Sequence, residues 1–211
     1  MSSVIDGIGY DINGGEAWVR SLERSAPWVV IPPVVMQGGK DIPVTRICKS
    51  AFRKQHCLEK VILPHSVKMI HESVFESCQN LKTVQLGESL QQIGKRAFKD
   101  CTSLEAIAIP DFVTSIGVNA FRNCGKLKSV RLPKFLTEIK KEAFLNCTSL
   151  EAIAIPDFVT SIGVNAFRNC EIKNVHFSKK FASRPDRDDL FNALFYAGLR
   201  TREVLLRIPT K

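Results

Sequence analysis

The chain has no C-x-x-C pair, no H-E-x-x-H, no G-x-S-x-G and no glycine-rich phosphate loop, so the short motifs that place a metal, a nucleophile or a nucleotide are missing. No run of 18 apolar residues occurs, which leaves no segment able to cross a bilayer as a helix. The opening MSSVIDGIGYD carries no secretory leader, and seven cysteines are an odd number. Together these favour a reducing, cytoplasmic setting, in which the Asn146-Cys147-Thr148 triplet never meets a glycosylating enzyme. Cys48, His56 and Cys57 cluster in sequence but lack a fourth ligand, so no metal is expected. His65, His71 and His176 have no acidic or nucleophilic partner at a spacing that would assemble a catalytic group, and no enzyme and no cofactor are expected.

What the chain has is repetition. Residues 101–124 and 147–170 are the same string, CTSLEAIAIPDFVTSIGVNAFRNC, and a weaker copy lies midway between them. The period is 23 residues, with Leu58, Leu81, Leu104, Leu127 and Leu150 in one phase and Cys78, Cys101, Cys124, Cys147 and Cys170 in another. A unit this short cannot bury its own apolar side and must stack on its neighbours.

One unit shows how. Ile107 and Ile109 alternate with Ala106 and Ala108, the period-two pattern of a strand with one buried face. Pro110 ends that ladder because it has no donor. Ala120, Phe121 and Cys124 stand at i, i+1 and i+4, so a single helical turn would aim all three inward. Each coil is therefore expected to be one short parallel strand, a bend, and a helical or extended return, with Leu104, Ile107, Ile109, Val113, Ile116, Phe121 and Cys124 interior. The five repeated cysteines form a buried ladder in this arrangement, aligned in parallel and unable to converge into disulfides, and all seven thiols are expected to be free.

The I-P, V-x-x-I, A-F and C elements recur at fixed offsets in five successive units, and this pattern resembles the BspA-like subfamily of leucine-rich repeats over about residues 27–181. The resemblance implies an α/β repeat solenoid, a curved right-handed coil with a parallel sheet on its concave side and a surface used for protein recognition. It implies no reaction. Members known for adhesion carry a secretion signal, so an adhesin role here would require a leader that this opening does not show.

The ends depart from the repeat. Residues 1–26 are expected to cap the first coil, with a hairpin over 8–20 turning at Gly14 and Gly15 and covering the open sheet edge. The strand motif returns at Trp28 to Pro32, followed by a bulging loop that includes Gly38 and Gly39. At the far end the pattern runs through Ile172, Val175, Phe177 and Phe181, one residue out of phase. Residues 182–211 are expected to form a helical cap, with Leu190, Phe191, Leu194 and Phe195 at helical spacing, Asp186, Asp188 and Asp189 at its start and Gly198 at its stop.

Three surfaces remain. The formal charge is +9, from 30 Lys and Arg against 21 Asp and Glu, with doublets at Lys95-Arg96, Lys140-Lys141 and Lys179-Lys180. Lys95, Arg96, Lys140 and Lys141 fall in nearly one phase two coils apart and would form a convex footprint for nucleic acid, another polyanion or an acidic partner. No aromatic platform with interleaved arginine supports RNA in particular. On the strand face, one outward column is Lys60, Thr83, Ala106, Ser129, Ala152 and Asn174, and the other is Ile62, Gln85, Ala108, Arg131, Ala154 and His176. Arg131 between alanines is an accessible anchor for a carboxylate. Phe112, Phe135 and Phe158 follow the strand prolines at a 23-residue interval and should form an aromatic stripe on the bend, facing water. The expected function is a non-enzymatic scaffold that binds a protein partner, or a second copy of itself, through Phe112, Phe135, Phe158, Arg131 and His176.

Overall fold

The computed structural model describes residues 2–178, 180, 185, 187–198 and 205–207. Lys179, Phe181 and Asp186 lie outside the described residues, as does the side chain of Phe191.

The chain opens with β1 (Ser2–Ile5), β2 (Ile8–Asn13) and β3 (Glu16–Leu22), an antiparallel meander. The expected hairpin is thus its second half, and Asp6 and Gly7, both with positive φ, make the additional turn. After β4 (Trp28–Val30), the bulging loop is a hairpin of β5 (Val34–Gln37) and β6 (Lys40–Ile47), turning at Gly38 and Gly39. The solenoid then alternates longer and shorter strands: β7 (Lys60–Ile62), β8 (Met69–Ile70), β9 (Thr83–Gln85), β10 (Gln92–Ile93), β11 (Ala106–Ala108) and β12 (Ser115–Ile116). It continues through β13 (Ser129–Arg131), β14 (Glu138–Ile139), β15 (Ala152–Ile155), β16 (Ser161–Ile162) and β17 (Asn174–Phe177). Helix α1 (Arg187–Tyr196) and β18 (Leu205–Arg207) follow.

Each coil contributes two parallel strands where one was expected. The longer ones form a strand face in the order β13-β11-β9-β7-β4, with β15-β17-β18 as a separate group. The two-residue strands follow the longer β6 in a second sheet, β6-β8-β10-β12-β14-β16, which the N-terminal meander extends through β3. Register follows the sequence period: Ile93 pairs with Ile116 and Ile139 with Ile162, so like side chains stack on like.

The return segment is not helical. Residues four apart, such as Asn119 and Asn123 at φ 58° and 62°, take the left-handed conformation, which breaks a helix while suiting Asn better than most residues. Backbone N–H groups there alternate in their use. Phe121 and Asn123 donate to Ala143 and Leu145 of the next coil, while Ala120, Arg122 and Cys124 donate back three residues to Gly117, Asn119 and Phe121. The segment is a chain of turns that also serves as a third line of inter-coil hydrogen bonds.

The inward residues are those the pattern named: Leu104, Ile107, Ile109, Val113, Ile116, Ala120, Phe121 and Cys124 are all buried. Phe52, Phe75, Phe98, Phe121, Phe144 and Phe167 stack in a continuous column, with ring centroids 5.1–5.5 Å apart and planes within 4–12° of parallel. Gly117 shows how closely the coils approach, since a Cβ there would lie 2.6 Å from the Gly94 carbonyl carbon. All seven cysteines are free, and Cys78, Cys101, Cys124 and Cys147 are fully buried while Cys170 is half-buried.

At the C-terminal end α1 takes the place of a further coil. Asn165 and Phe167 donate their backbone N–H groups to Tyr196 and Ala197, while Leu190, Leu194 and Ala197 are buried. Gly198 ends the helix at φ 96°. Phe195, expected inward from its spacing, is exposed, because the helix shows the coil a narrower face than its apolar content suggests.

Candidate protein-binding surface

The column that follows the strand prolines is built by the bend. Val113, Leu136 and Val159 turn inward and are fully buried, while the residue before each turns out. Phe112, Phe135 and Phe158 are accordingly 63%, 39% and 52% exposed. Their ring centroids lie 6.4 and 5.8 Å apart with planes tilted by 31° and 48°, unlike the flat buried stack. Lys134 places its ammonium 5.2 Å from the centre of the Phe135 ring, a cation–π contact on the same stripe.

Beside the stripe the strand face is split. Among the described residues no backbone hydrogen bond joins β13 to β15, although the second sheet and the turn ladder continue across the same two coils. Val130, whose counterparts Val61, Val84, Ile107, Ile153 and Val175 are buried, is only half-buried here. The opening forms a cleft of about 450 Å³ lined by Asp111, Arg131, Lys134, Ala154, Pro156 and His176, among others. Arg131 and His176, named from their outward column, therefore share one cleft, and Asp111 and Lys134 link it to Phe112 and Phe135.

Arg131 is not a lone cation. Its Nη2 donates to Asp111 Oδ1 at 3.1 Å, and the same carboxylate oxygen accepts the backbone N–H of Lys134 at 3.0 Å. The pair is more than a third exposed on both sides, where such ion pairs are weak and exchange readily with an incoming carboxylate.

The basic doublets are less available than their sequence suggests. Lys140 lies 3.6 Å from Glu138, and Lys141 lies 3.7 Å from Glu142, which also binds Arg122 at 3.0 Å. Arg96 is half-buried in a left-handed position, with Lys95 exposed beside it. Lys95 and Lys141 share a phase, but Lys140 occupies the column of Gly94, Gly117 and Gly163, so the doublets are offset by one residue. Along the start of the strand face the charges alternate from coil to coil, with Lys82 on Glu59 at 2.8 Å and Lys173 on Glu151 at 3.4 Å. Several lysines and arginines are thus held in ion pairs within the molecule, although the net excess of nine is left over.

Cys48, His56 and Cys57 are not assembled: among the described residues no group of three or more His, Cys, Asp or Glu side chains is placed to hold a metal ion. Burial raises the Cys78 thiol to about 12 and pushes Cys101, Cys124 and Cys147 well up too, which withholds the thiolate any nucleophilic role would need. Burial, helped by Arg46, holds His71 below the usual imidazole range.

One exposed patch escaped the column reading, which began at Lys60. The strand motif of the first coil turns Trp28 and Val30 outward, 71% and 62% exposed, beside Ile62 and Lys60. With Val29 they line a shallow hollow of about 240 Å³. The signal was the same two-residue alternation, one coil earlier.

The family described as BspA type leucine rich repeat region matches residues 45–173, in six copies. Among solved structures, the Treponema pallidum leucine rich repeat protein is 25% identical, with 95% of this chain and 97% of that one covered and a TM-score of 0.69. The pneumococcal vaccine antigen PcpA is 27% identical over 84% of this chain and 50% of its own, with a TM-score of 0.73. A leucine rich cell surface protein from Faecalibacterium prausnitzii is also 27% identical, covering 84% and 54%, with a TM-score of 0.64. The chain spans about half the length of these last two structures. No curated protein sequence matches it. Among the described residues no helix is long and apolar enough to cross a membrane.

Proposed function

Because the chain belongs to the BspA-type leucine-rich repeat family, we propose that it is a non-enzymatic scaffold that binds a protein partner through the Phe112, Phe135, Phe158 stripe and the adjoining cleft of Arg131 and His176. The observation that carries this reading is the water-facing aromatic stripe, three rings one coil apart on a rigid array. Buried aromatic anchors dominate protein interfaces, and a rigid display loses little entropy on binding. The cleft adds a cation, an exposed imidazole and an exchangeable carboxylate within the same footprint. Capture of a partner by the intact protein and its loss in the Phe112→Ser, Phe135→Ser, Phe158→Ser variant, with the fold retained, is the test.

The alternative, a nucleic-acid or other polyanion surface at Lys95, Arg96, Lys140 and Lys141, is weakened by Glu138 and Glu142 beside its lysines. Polyanion binding would fall steeply with salt, which binding led by aromatic side chains would not. For location, an odd count of seven cysteines, one of them exposed at Cys57, favours a reducing interior. The F. prausnitzii neighbour, described as a cell surface protein, supports a second reading at the cell exterior. Protease treatment of intact cells separates the two.

A further inference from the structure

The N-terminal meander covers the start of the second sheet through β3 and β6, while β4 ends the strand face with no strand beyond it among the described residues. The inner side of β4 is fixed by the carbonyl of Pro27, which accepts from Glu59 and Lys60 at 2.8 and 3.0 Å, and by the N–H of Ile31, which donates to Ile62 at 3.0 Å. Alternate residues of a parallel strand bond to the same neighbour. With Pro27, Val29 and Ile31 turned to β7, the backbone groups of Trp28 and Val30 point to the open side. Their side chains are also the two most exposed on the strand, above a Val29 that is buried in the core. An edge that is both unpaired and apolar is a template for another strand.

We propose that β4 is a self-association edge, on which a second copy of the chain lays its own β4 antiparallel about a two-fold axis at Val29. In this register Trp28 meets Val30 of the second copy and Val30 meets Trp28. Each meeting joins two residues whose N–H and C=O groups are free, so both pairs exchange two hydrogen bonds. It also brings an aromatic and a β-branched side chain together on one face, a favoured cross-strand pair. A slip of one residue sets free groups against bonded ones and puts Trp28 on the face opposite its partner, and a slip of two keeps a single pair. Beyond the two pairs the next open-side residues, Ala26 and Pro32 of the second copy, would meet, and Pro32 lacks a donor, so the two-bond pairing stops after these pairs. A two-fold contact of this kind closes as a dimer and does not propagate into a fibre. The hollow formed by Trp28, Val30, Lys60 and Ile62 lies against the pair and loses its water when the second copy seats.

The proposal is independent of the aromatic stripe, and sedimentation velocity over a concentration series tests it. A small interface of this kind should give a weak monomer–dimer equilibrium whose midpoint falls within the concentration series. Val30→Pro removes a donor that the monomer leaves unused, and Trp28→Lys adds a charge at the edge. Each should raise the midpoint roughly tenfold or more while the melting temperature stays near that of the parent. Phe112→Ser, Phe135→Ser, Phe158→Ser should leave the midpoint unchanged. In a Cys57→Ser background, which removes the exposed native thiol, a mixture of Trp28→Cys and Val30→Cys proteins should cross-link under mild oxidation, and neither should do so alone. A parent that stays monomeric throughout, a folded Val30→Pro that dimerises like the parent, or equal cross-linking by Trp28→Cys alone would overturn it.

Discussion

The thiol of Cys124 donates a hydrogen bond to the carbonyl oxygen of Phe98 at 3.2 Å, reaching from one coil into the last. That carbonyl already accepts the backbone N–H of Cys101 at 3.2 Å, so the thiol takes its second lone pair. The relation repeats from Cys78 to Phe52, Cys101 to Phe75, Cys147 to Phe121 and Cys170 to Phe144. Cysteine at this position fills a small apolar space and satisfies a buried acceptor, and it must stay protonated to do so.

A pH dependence follows. The buried thiols have pKa values raised above the ordinary 9, with Cys78 at about 12. Above pH 9 the unfolded chain loses these protons while the folded one holds them, so the unfolded state is favoured as pH rises. Stability should be level to about pH 9 and then fall, by about 1.4 kcal/mol per pH unit for each such thiol, until the folded pKa is reached. The Tyr10 phenol, also raised to about 12, adds loss of the same sign above 10. Urea unfolding at pH 8, 9, 10 and 11 measures this, and Cys78→Ala should flatten the decline. At neutral pH exposed Cys57 should react first with a maleimide, and the four fully buried thiols only on unfolding.

Phe121 lies between Phe98 and Phe144 with centroids 5.2 Å away on either side and is wholly buried. Phe121→Ala removes the ring from the middle of a stack and leaves a cavity that rigid neighbouring coils cannot close. The expected loss is about 3–5 kcal/mol, read as a lower denaturant midpoint. Phe112→Ala, at an exposed ring, should change stability by about 0.5 kcal/mol or less.

On the turn side Asn123 donates to Asp100 at 2.6 Å and accepts from Asn146 at 2.7 Å, and Asn146 in turn accepts from Asn169 at 2.8 Å. These residues hold φ near 60°, where side chains with a Cβ are disfavoured. Asn123→Ala should lose both the ladder and the tolerance of that φ, at roughly 2 kcal/mol, while Asn123→Gly loses only the ladder and should be about 1 kcal/mol less damaging. Thermal unfolding of the two variants side by side checks the order.

These columns also mark what the sequence could convey. A strict 23-residue interval sets the register, so the inward set around Ile107 and Phe121 and the outward stripe at Phe112 follow from phase alone. The return was harder, because Ala120, Phe121 and Cys124 satisfy a helical turn and a chain of tighter turns equally. The paired asparagines at 119 and 123 were the cue for left-handed backbone. The bond from Arg131 to Asp111 crosses between coils at a separation of 20 residues, and nothing in the 23-residue interval announces it. The exposed Phe195 and the open edge at Trp28 depend on how the end elements dock, and at the ends the repeat no longer constrains the chain.

The aromatic stripe yields the functional prediction. Phe112, Phe135 and Phe158 present rings at the coil spacing, flanked by small outward Ala106, Ala108, Ala152 and Ala154 that let a flat partner approach. If these rings are the anchors, replacing all three by serine should abolish partner capture, a loss of roughly 2 kcal/mol or more for each well-buried ring. The melting temperature should hold, since none of the three rings is in the core. Arg131→Ala should weaken binding less, because its guanidinium already shares Asp111 and an exposed pair contributes about 0–1 kcal/mol. Reversing Lys140 and Lys141 to glutamate should leave capture nearly intact at physiological salt, as both are already partnered by carboxylates. Capture measured for these variants at two salt concentrations decides the matter. Binding that survives the triple serine change but is lost on reversal of the lysines, and that collapses at the higher salt, would assign the contact to the basic face.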